Sequence, residues 1–139
     1  MTYLGLDLGS KTCGIAISDR TGLIASSLEV IRYEDYDELI NKLNNIVISR
    51  NVDAFVLGNP KNLDGSLSKR SEITLEFKKI LEDRFKLDVI MQDERLSTVE
   101  AERMLISHDT KRKKRKKVID KIAATIILQS FLDRRNHER

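Results

Sequence analysis

Apolar residues recur at two spacings along the chain, and the change between them separates strands from helices. Three short apolar segments, residues 3–8, 13–18 and 24–31, occupy the N-terminal part. The links between them, Gly9–Thr12 and Asp19–Gly22, are short and contain turn residues. Such links join neighbouring strands, so the pattern predicts an antiparallel meander of three strands.

Strands and helices alternate from residue 35 onward. Helical spacing of apolar residues follows Asp35 and recurs around Phe77, while residues 54–57 and 87–91 are short apolar strands. A helical crossover returns the chain in the same direction, so these strands are expected to be parallel. The prediction is an α/β fold with a five-stranded mixed sheet flanked by helices.

Two more helices are predicted in the C-terminal third. Ser97, Thr98 and Glu100 match a capping box, which predicts a helix start near Thr98. A last helix is expected to begin near Val118. The predicted order of elements is therefore βββαβαβαα.

Composition narrows the class of protein. The 139 residues are 40% apolar and 34% charged, which predicts one domain covering residues 1–139. We expect a cytoplasmic protein without membrane contact, because there is no secretory signal and no apolar run of bilayer length. Cys13 is the only cysteine, and His108 and His137 are far apart. These counts exclude an internal disulfide and disfavour a zinc site.

Charge is distributed unevenly. Residues 111–117 are seven consecutive cations, and without them the net charge of +3 becomes −4. A basic segment on a mildly acidic body favours contact with a polyanion such as nucleic acid. The segment shows no apolar period and lies between two predicted helices, so a solvated loop is the alternative interpretation.

Asp7 is an acid within an otherwise apolar strand. Leu6 and Leu8 are expected to face one side of the sheet and Asp7 the other. A carboxylate in a sheet interior is costly unless it is paired, hydrogen-bonded or bound to metal. An Asp that accepts hydrogen bonds from the following turn would explain the residue equally well.

Glu94 follows the fifth predicted strand. If the first and fifth strands are parallel, Asp7 and Glu94 emerge at the same edge of the sheet, where ligands bind in open α/β folds. Asp93 competes for the same role, because a shift of one residue reverses the face of the sheet. A surface Glu paired with Arg95 is the structural alternative.

Asp120 lies in the first turn of the last predicted helix and shares a face with Ala124 and Ile127. Favourable charge at a helix start would explain Asp120 alone. Three acids that converge, however, repel one another, and a divalent cation usually compensates for that repulsion. Oxygen ligands without His or Cys favour Mg²⁺ or Mn²⁺, which can support phosphodiester cleavage.

Two loops carry cations beside the predicted acids. Gly9 and Lys11 follow Asp7, and Lys61 follows the fourth strand in a loop that leads into a helix. Both loops are candidate phosphate sites, although a tight hairpin and ordinary turn and cap residues explain them as well. The predicted substrate-binding residues are Lys11, Lys61, Arg95, Lys113 and Lys114.

Four blocks of the sequence resemble the YqgF/RuvX family, whose members are described as Holliday junction resolvases and as nucleases that mature the 5′ end of pre-16S ribosomal RNA. The resemblance covers essentially the whole chain, and the blocks that begin at Asp93 and Asp120 are fairly specific. The blocks are Asp7-Leu8-Gly9-Ser10-Lys11 with Gly14, Gly58-Asn59-Pro60 with Asp64-Gly65, Asp93-Glu94-Arg95-Leu96-Ser97-Thr98 with Ala101, and Asp120-Lys121-Ile122-Ala123-Ala124.

The resemblance implies an RNase H-like fold, a role for Asp7, Glu94 and Asp120 as the acidic cluster, a cytoplasmic location and a part in ribosome biogenesis. Thr12 stands where the family often has Arg, which removes one candidate phosphate ligand. Asn59 stands where Leu is usual, which changes the packing of that loop.

Two other functions remain open at the level of sequence. One is a non-catalytic nucleic-acid-binding module of the same fold, and the other is a fragment of an actin-like or sugar-kinase-like ATPase, whose phosphate loop begins similarly. Metal-dependent cleavage separates a nuclease from the first alternative. Symmetric cleavage of a DNA junction would require two active sites and hence a homodimer, but the sequence does not choose between RNA and DNA.

Overall fold

The computed structural model describes residues 1–60, 69–93 and 112–137. The helix predicted near Thr98 lies outside these ranges. The elements are β1 Tyr3–Leu8, β2 Thr12–Ser18, β3 Ala25–Arg32, α1 Tyr36–Arg50, β4 Ala54–Asn59, α2 Lys69–Phe85, β5 Asp88–Asp93 and α3 Arg112–His137.

The five strands form one mixed sheet in the order β3-β2-β1-β4-β5. β1 pairs antiparallel with β2, and β2 antiparallel with β3. β4 is parallel to both β1 and β5. The predicted meander followed by parallel strands is confirmed, and β1 and β5 therefore end at the same edge of the sheet.

Helices cover both faces of the sheet. On one face, residues of α1 and α2 such as Leu39 and Phe77 pack with Leu4 and Leu6 of β1 in a single buried core. On the other face α3 contacts all five strands. Five of its buried residues pack with Tyr3 and the alternate positions of the central strands; they are Ala124, Ile127, Leu128, Phe131 and Leu132.

The sequence predicted the start of α1 correctly but placed the end of β4 two residues too early. Asp35 is the N-cap of α1, and its side chain accepts a hydrogen bond from the backbone N–H of Glu38 at 2.9 Å. β4 continues two residues beyond its predicted end at Leu57, to Asn59. No helix in the described ranges has the length and apolar character to span a membrane.

The start of the last helix differs from the prediction. α3 begins at Arg112, so the basic segment from Arg112 to Lys117 is helical rather than a loop before Val118. Lys and Arg are good helix formers, and the segment contains neither Gly nor Pro. The missing apolar period of residues 112–117 therefore did not mean that the segment is not helical.

Candidate functional site

Asp7 lies near the carboxyl end of β1, on the face that α3 covers. Its neighbours Leu6 and Leu8 belong to the core on the opposite face, as the alternation predicted. Asp7 itself is partly buried. The first predicted acid is therefore positioned by a central strand, at the edge where parallel strands of open α/β sheets place their ligands.

Glycines flank Asp7 on the neighbouring strands. In β2 the residue paired with Asp7 is Gly14. In β4, the residue that follows the last paired positions, Leu6 with Leu57, is Gly58. Since glycine carries no side chain, neither neighbouring strand places a side chain directly beside the Asp7 carboxylate on the α3 face.

Gly14, Asp7 and Gly58 form a row across β2, β1 and β4, and Gln92 continues this row onto β5. It pairs with Gly58 and shares its face with Ile90, which packs against the α3 core. Gln92 is only 7% exposed, and its Oε1 has no hydrogen-bond partner within the described ranges. Sequence reasoning missed Gln92, although its place two residues before Glu94 was a usable signal.

Asp93 faces away from Asp7. Side chains of β5 alternate between the two faces of the sheet. Asp93 therefore lies on the same face as Val89 and Met91, which pack in the core under α1 and α2. The structure therefore separates the two acids by the thickness of the sheet. Glu94, Arg95 and Lys61 lie outside the described residues.

The backbone of α3 brings Asp120 towards the level of Asp7. α3 runs antiparallel to β1, because Phe131 contacts Tyr3 while Leu128 and Ala124 lie over Gly5. From Gly5 to Asp7 a strand advances by about 6.6 Å, which corresponds to about four residues of helix. Asp120 is four residues before Ala124 and thus lies at the corresponding turn of the helix axis.

The turn after Asp7 is held by several hydrogen bonds. The Gly9 N–H donates to the Thr12 carbonyl at 2.7 Å, and the Tyr33 hydroxyl donates to the Gly9 carbonyl. Arg70, at the start of α2, donates from Nη2 to the Leu8 carbonyl at 2.7 Å. Tyr33, which lies between β3 and α1, and Arg70 of α2 therefore hold the peptide groups that follow Asp7.

Lys11 extends from this turn into solvent. Its ammonium lies 3.6 Å from the Glu34 carboxylate, and both side chains are largely exposed. An exposed pair of this kind contributes little to stability, so Lys11 can exchange Glu34 for a phosphate at small cost. Lys113 and Lys114 lie in the first turn of α3.

Cys13 lies beside Asp7 but on the core side of the sheet. Burial and then the negative charge of Asp7 raise the pKa of its thiol, although a hydrogen bond from the Asp7 backbone opposes them. A thiol held protonated in this way is a poor metal ligand. Asp7 and Gln92 are thus the polar side chains that the described part of this row carries on the α3 side.

In the part of the chain that the structure describes, no three His, Cys, Asp or Glu side chains form a metal-binding group. Asp7 is the only one of the three predicted acids whose side chain is described. The convergence of Asp7, Glu94 and Asp120 therefore stays a prediction.

Comparison with known proteins identifies the family. A family model described as RuvX, Holliday junction resolvase, matches residues 1–134. A protein of Geobacillus sp. (strain WCH70), named as a candidate pre-16S rRNA nuclease, is 50% identical over 135 residues, which are 96% of this chain and 98% of the relative. A protein of the same name from Bacillus licheniformis is 49% identical over 138 residues, 98% of this chain and 99% of the relative.

Solved structures show the same fold at low sequence identity. The RuvC protein of T. thermophilus in complex with Holliday junction substrate matches with a TM-score of 0.58 and 12% identity, covering 97% of this chain and 96% of its own. The fowlpox virus Holliday junction resolvase matches with a TM-score of 0.55 and 19% identity, covering 96% and 99%. The fold is therefore RNase H-like, as predicted.

Proposed function

The chain belongs to the RuvX family, and on that basis we propose that it is a metal-dependent endonuclease that hydrolyses phosphodiester bonds in structured nucleic acid. The observation that carries the proposal is a partly buried carboxylate, Asp7, flanked by glycines at the ligand-binding edge of an RNase H-like sheet. A kinase-like fragment loses support, because one nuclease family model spans residues 1–134.

Asp7, Glu94 and Asp120 are the proposed metal ligands. The donor set fits Mg²⁺ or Mn²⁺, since Asp7 and Gln92 lie on the same face, the Gln92 Oε1 has no hydrogen-bond partner among the described residues, and the nearby thiol is kept protonated. When bound, such an ion generates a nucleophile from water and stabilises charge on the phosphate. The glycines on either side of Asp7 place no side chain of their own beside its carboxylate.

The cations around this edge are proposed to hold the substrate. In the sequence Lys11, Lys61 and Arg95 follow β1, β4 and β5, and Lys113 and Lys114 lie at the start of α3. Contacts with phosphate fix the position of the backbone without reading its sequence. The protein would therefore recognise the shape of its substrate more than its sequence.

Pre-16S ribosomal RNA is the substrate that we favour. Relatives named for it are about half identical to this chain, and the match covers nearly their whole length. Processing of its 5′ end would take place in the cytoplasm, by one nuclease domain covering residues 1–139. Cleavage of a Holliday junction is the second candidate, since the family model bears that description. Symmetric cleavage of a junction would require a homodimer.

The test is to incubate pure protein with a precursor 16S rRNA fragment and with a four-way DNA junction, each with Mn²⁺ and with EDTA. We expect metal-dependent cleavage of the RNA close to the mature 5′ end. Cleavage of the junction alone would assign the second substrate. Binding of both nucleic acids without cleavage at any metal concentration would contradict the nuclease and support a non-catalytic binding module.

A further inference from the structure

A cavity of about 270 Å³ opens beside the turn that follows Asp7, on the other face of the sheet. It lies between this turn and the first turns of α1 and α2. Leu8, Tyr36 and Ile73 form an apolar wall, and Ser10 and Arg70 add polar groups. The cavity therefore combines an apolar surface with one guanidinium, at the same edge as the proposed metal site.

Arg70 is only partly engaged by the protein. Its Nη2 donates to the Leu8 carbonyl, but none of the ion pairs among the described residues includes Arg70. Arg84, near the other end of the same helix, is instead paired with Asp37 at 3.4 Å. A guanidinium carries five N–H donors in a planar fork, so Arg70 keeps donors for an anion.

The size and chemistry of the cavity fit one unit of a polymer. Its volume lies just below the range of roughly 300–1,000 Å³ that is usual for sites enclosing a whole drug-sized ligand. Guanidinium groups bind phosphate in a bidentate manner, and aromatic or apolar walls accept the base or ribose of an unpaired nucleotide. Tyr36 is held in place for such a contact, because its ring packs against that of Phe77, with 5.2 Å between the ring centroids.

We propose that this cavity is a subsite for one unpaired nucleotide of the substrate, at the sheet edge of the proposed metal site but on the opposite face, with its phosphate on Arg70 and its base or ribose on Tyr36 and Ile73. The proposal rests on the proposed nuclease function. Arg70 also holds the carbonyl of Leu8, the residue directly after Asp7. A nucleotide bound in the subsite would thus contact a side chain that is hydrogen-bonded to the residue next to the proposed catalytic acid.

The experiment measures binding in an Asp7→Asn background, which removes cleavage. The probe is a fluorescein-labelled RNA hairpin with a single-stranded 5′ tail, titrated at several salt concentrations. Arg70→Gln should weaken binding roughly tenfold at low salt and reduce the slope of log affinity against log salt by about 0.7. Arg70→Lys keeps the charge and should retain the slope.

Arg84→Gln is the matched control and should leave affinity and slope unchanged. A second variant guards against loss of folding: Ile73 is 48% exposed, so Ile73→Glu should fold and yet repel the phosphate, weakening binding as Arg70→Gln does. Equal effects of Arg70→Gln and Arg84→Gln, or no effect of Ile73→Glu, would overturn the subsite while the nuclease function stands. Failure of the Asp7→Asn protein to bind, together with no cleavage by the wild type, would overturn both.

Discussion

Asn59 ends β4 with its side chain buried at 8% exposure, and its Oδ1 has no hydrogen-bond partner in the described ranges. A buried polar atom without a partner costs about 1–3 kcal/mol. Asn59→Leu removes this polar atom and should therefore raise the free energy of unfolding in urea by about that amount.

Asn51 supplies the matched control for this prediction. It caps α1 in the left-handed conformation with φ of 54°, where a residue such as Leu is strained. Asn51→Leu should therefore lower stability. A loss of stability in Asn59→Leu as well would show that the Asn59 amide has a structural partner.

Cys13 makes stability depend on pH in the alkaline range. Since the folded state raises the thiol pKa above its ordinary value of 9.0, the folded protein binds more protons than the unfolded chain above that value. This contribution is complete below pH 9 and is lost as pH rises. The free energy of unfolding should fall by up to about 1.4 kcal/mol per pH unit for this group.

Urea unfolding at pH 8, 9 and 10 measures the effect of the Cys13 thiol. Cys13→Ala is the control and should show a shallower decline over the same interval. Tyr33, whose pKa burial raises from 10.0 to about 12, adds a decline of the same sign from about pH 10, and the Cys13→Ala control subtracts it. Parallel declines in the two proteins would show that Cys13 ionises in the folded state as it does in the unfolded chain.

Single residues also show where sequence reasoning ends. The face of Asp7 was predictable, because alternation with Leu6 and Leu8 is a local pattern. The contact of Arg70 with the Leu8 carbonyl was not, since the two residues are 62 positions apart. Gln92 was overlooked because a single amide in an apolar strand is a weaker anomaly than a carboxylate.

Among the elements, α3 depends on close approach to β1. A Cβ atom on Gly5 would lie 2.8 Å from Leu128 Cβ and 3.1 Å from the Ala124 carbonyl oxygen. Gly5→Ala should therefore push the helix from the sheet and destabilise the protein by about 1–3 kcal/mol, measured by urea unfolding. Unchanged stability would mean that α3 shifts along the sheet at no cost.

The basic N-terminal segment of α3, residues 112–117, has a proposed role in binding phosphate that can be tested. If about four of its cations contact duplex phosphates, replacing Lys113, Lys114, Lys116 and Lys117 with Gln should reduce the salt slope by roughly 3.6. Gln preserves helix propensity, which Ser would lower. Binding should weaken similarly across probe sequences, because phosphate carries no base identity. An unchanged slope and affinity would remove this segment from the binding surface.

At the scale of the whole molecule, parallel β1, β4 and β5 and the antiparallel α3 bring distant parts of the chain to one edge. The order of element types predicted the mixed sheet, because helical crossovers impose parallel pairing. It did not predict that α3 crosses all five strands, since that depends on the packing of Ala124 and Leu128 over Gly5. This crossing is what directs Asp120 towards the level of Asp7.

The most direct test of this account is Mn²⁺-dependent cleavage by four single variants, each verified by its melting curve. Asp7→Asn, Glu94→Gln and Asp120→Asn should each abolish cleavage while the protein stays folded, because each removes an anionic ligand from the same ion. Asp93→Asn, an acid on the opposite face of the sheet, should retain it. Full activity in any of the first three folded variants, or loss of activity confined to Asp93→Asn, would contradict a metal centre built from Asp7, Glu94 and Asp120.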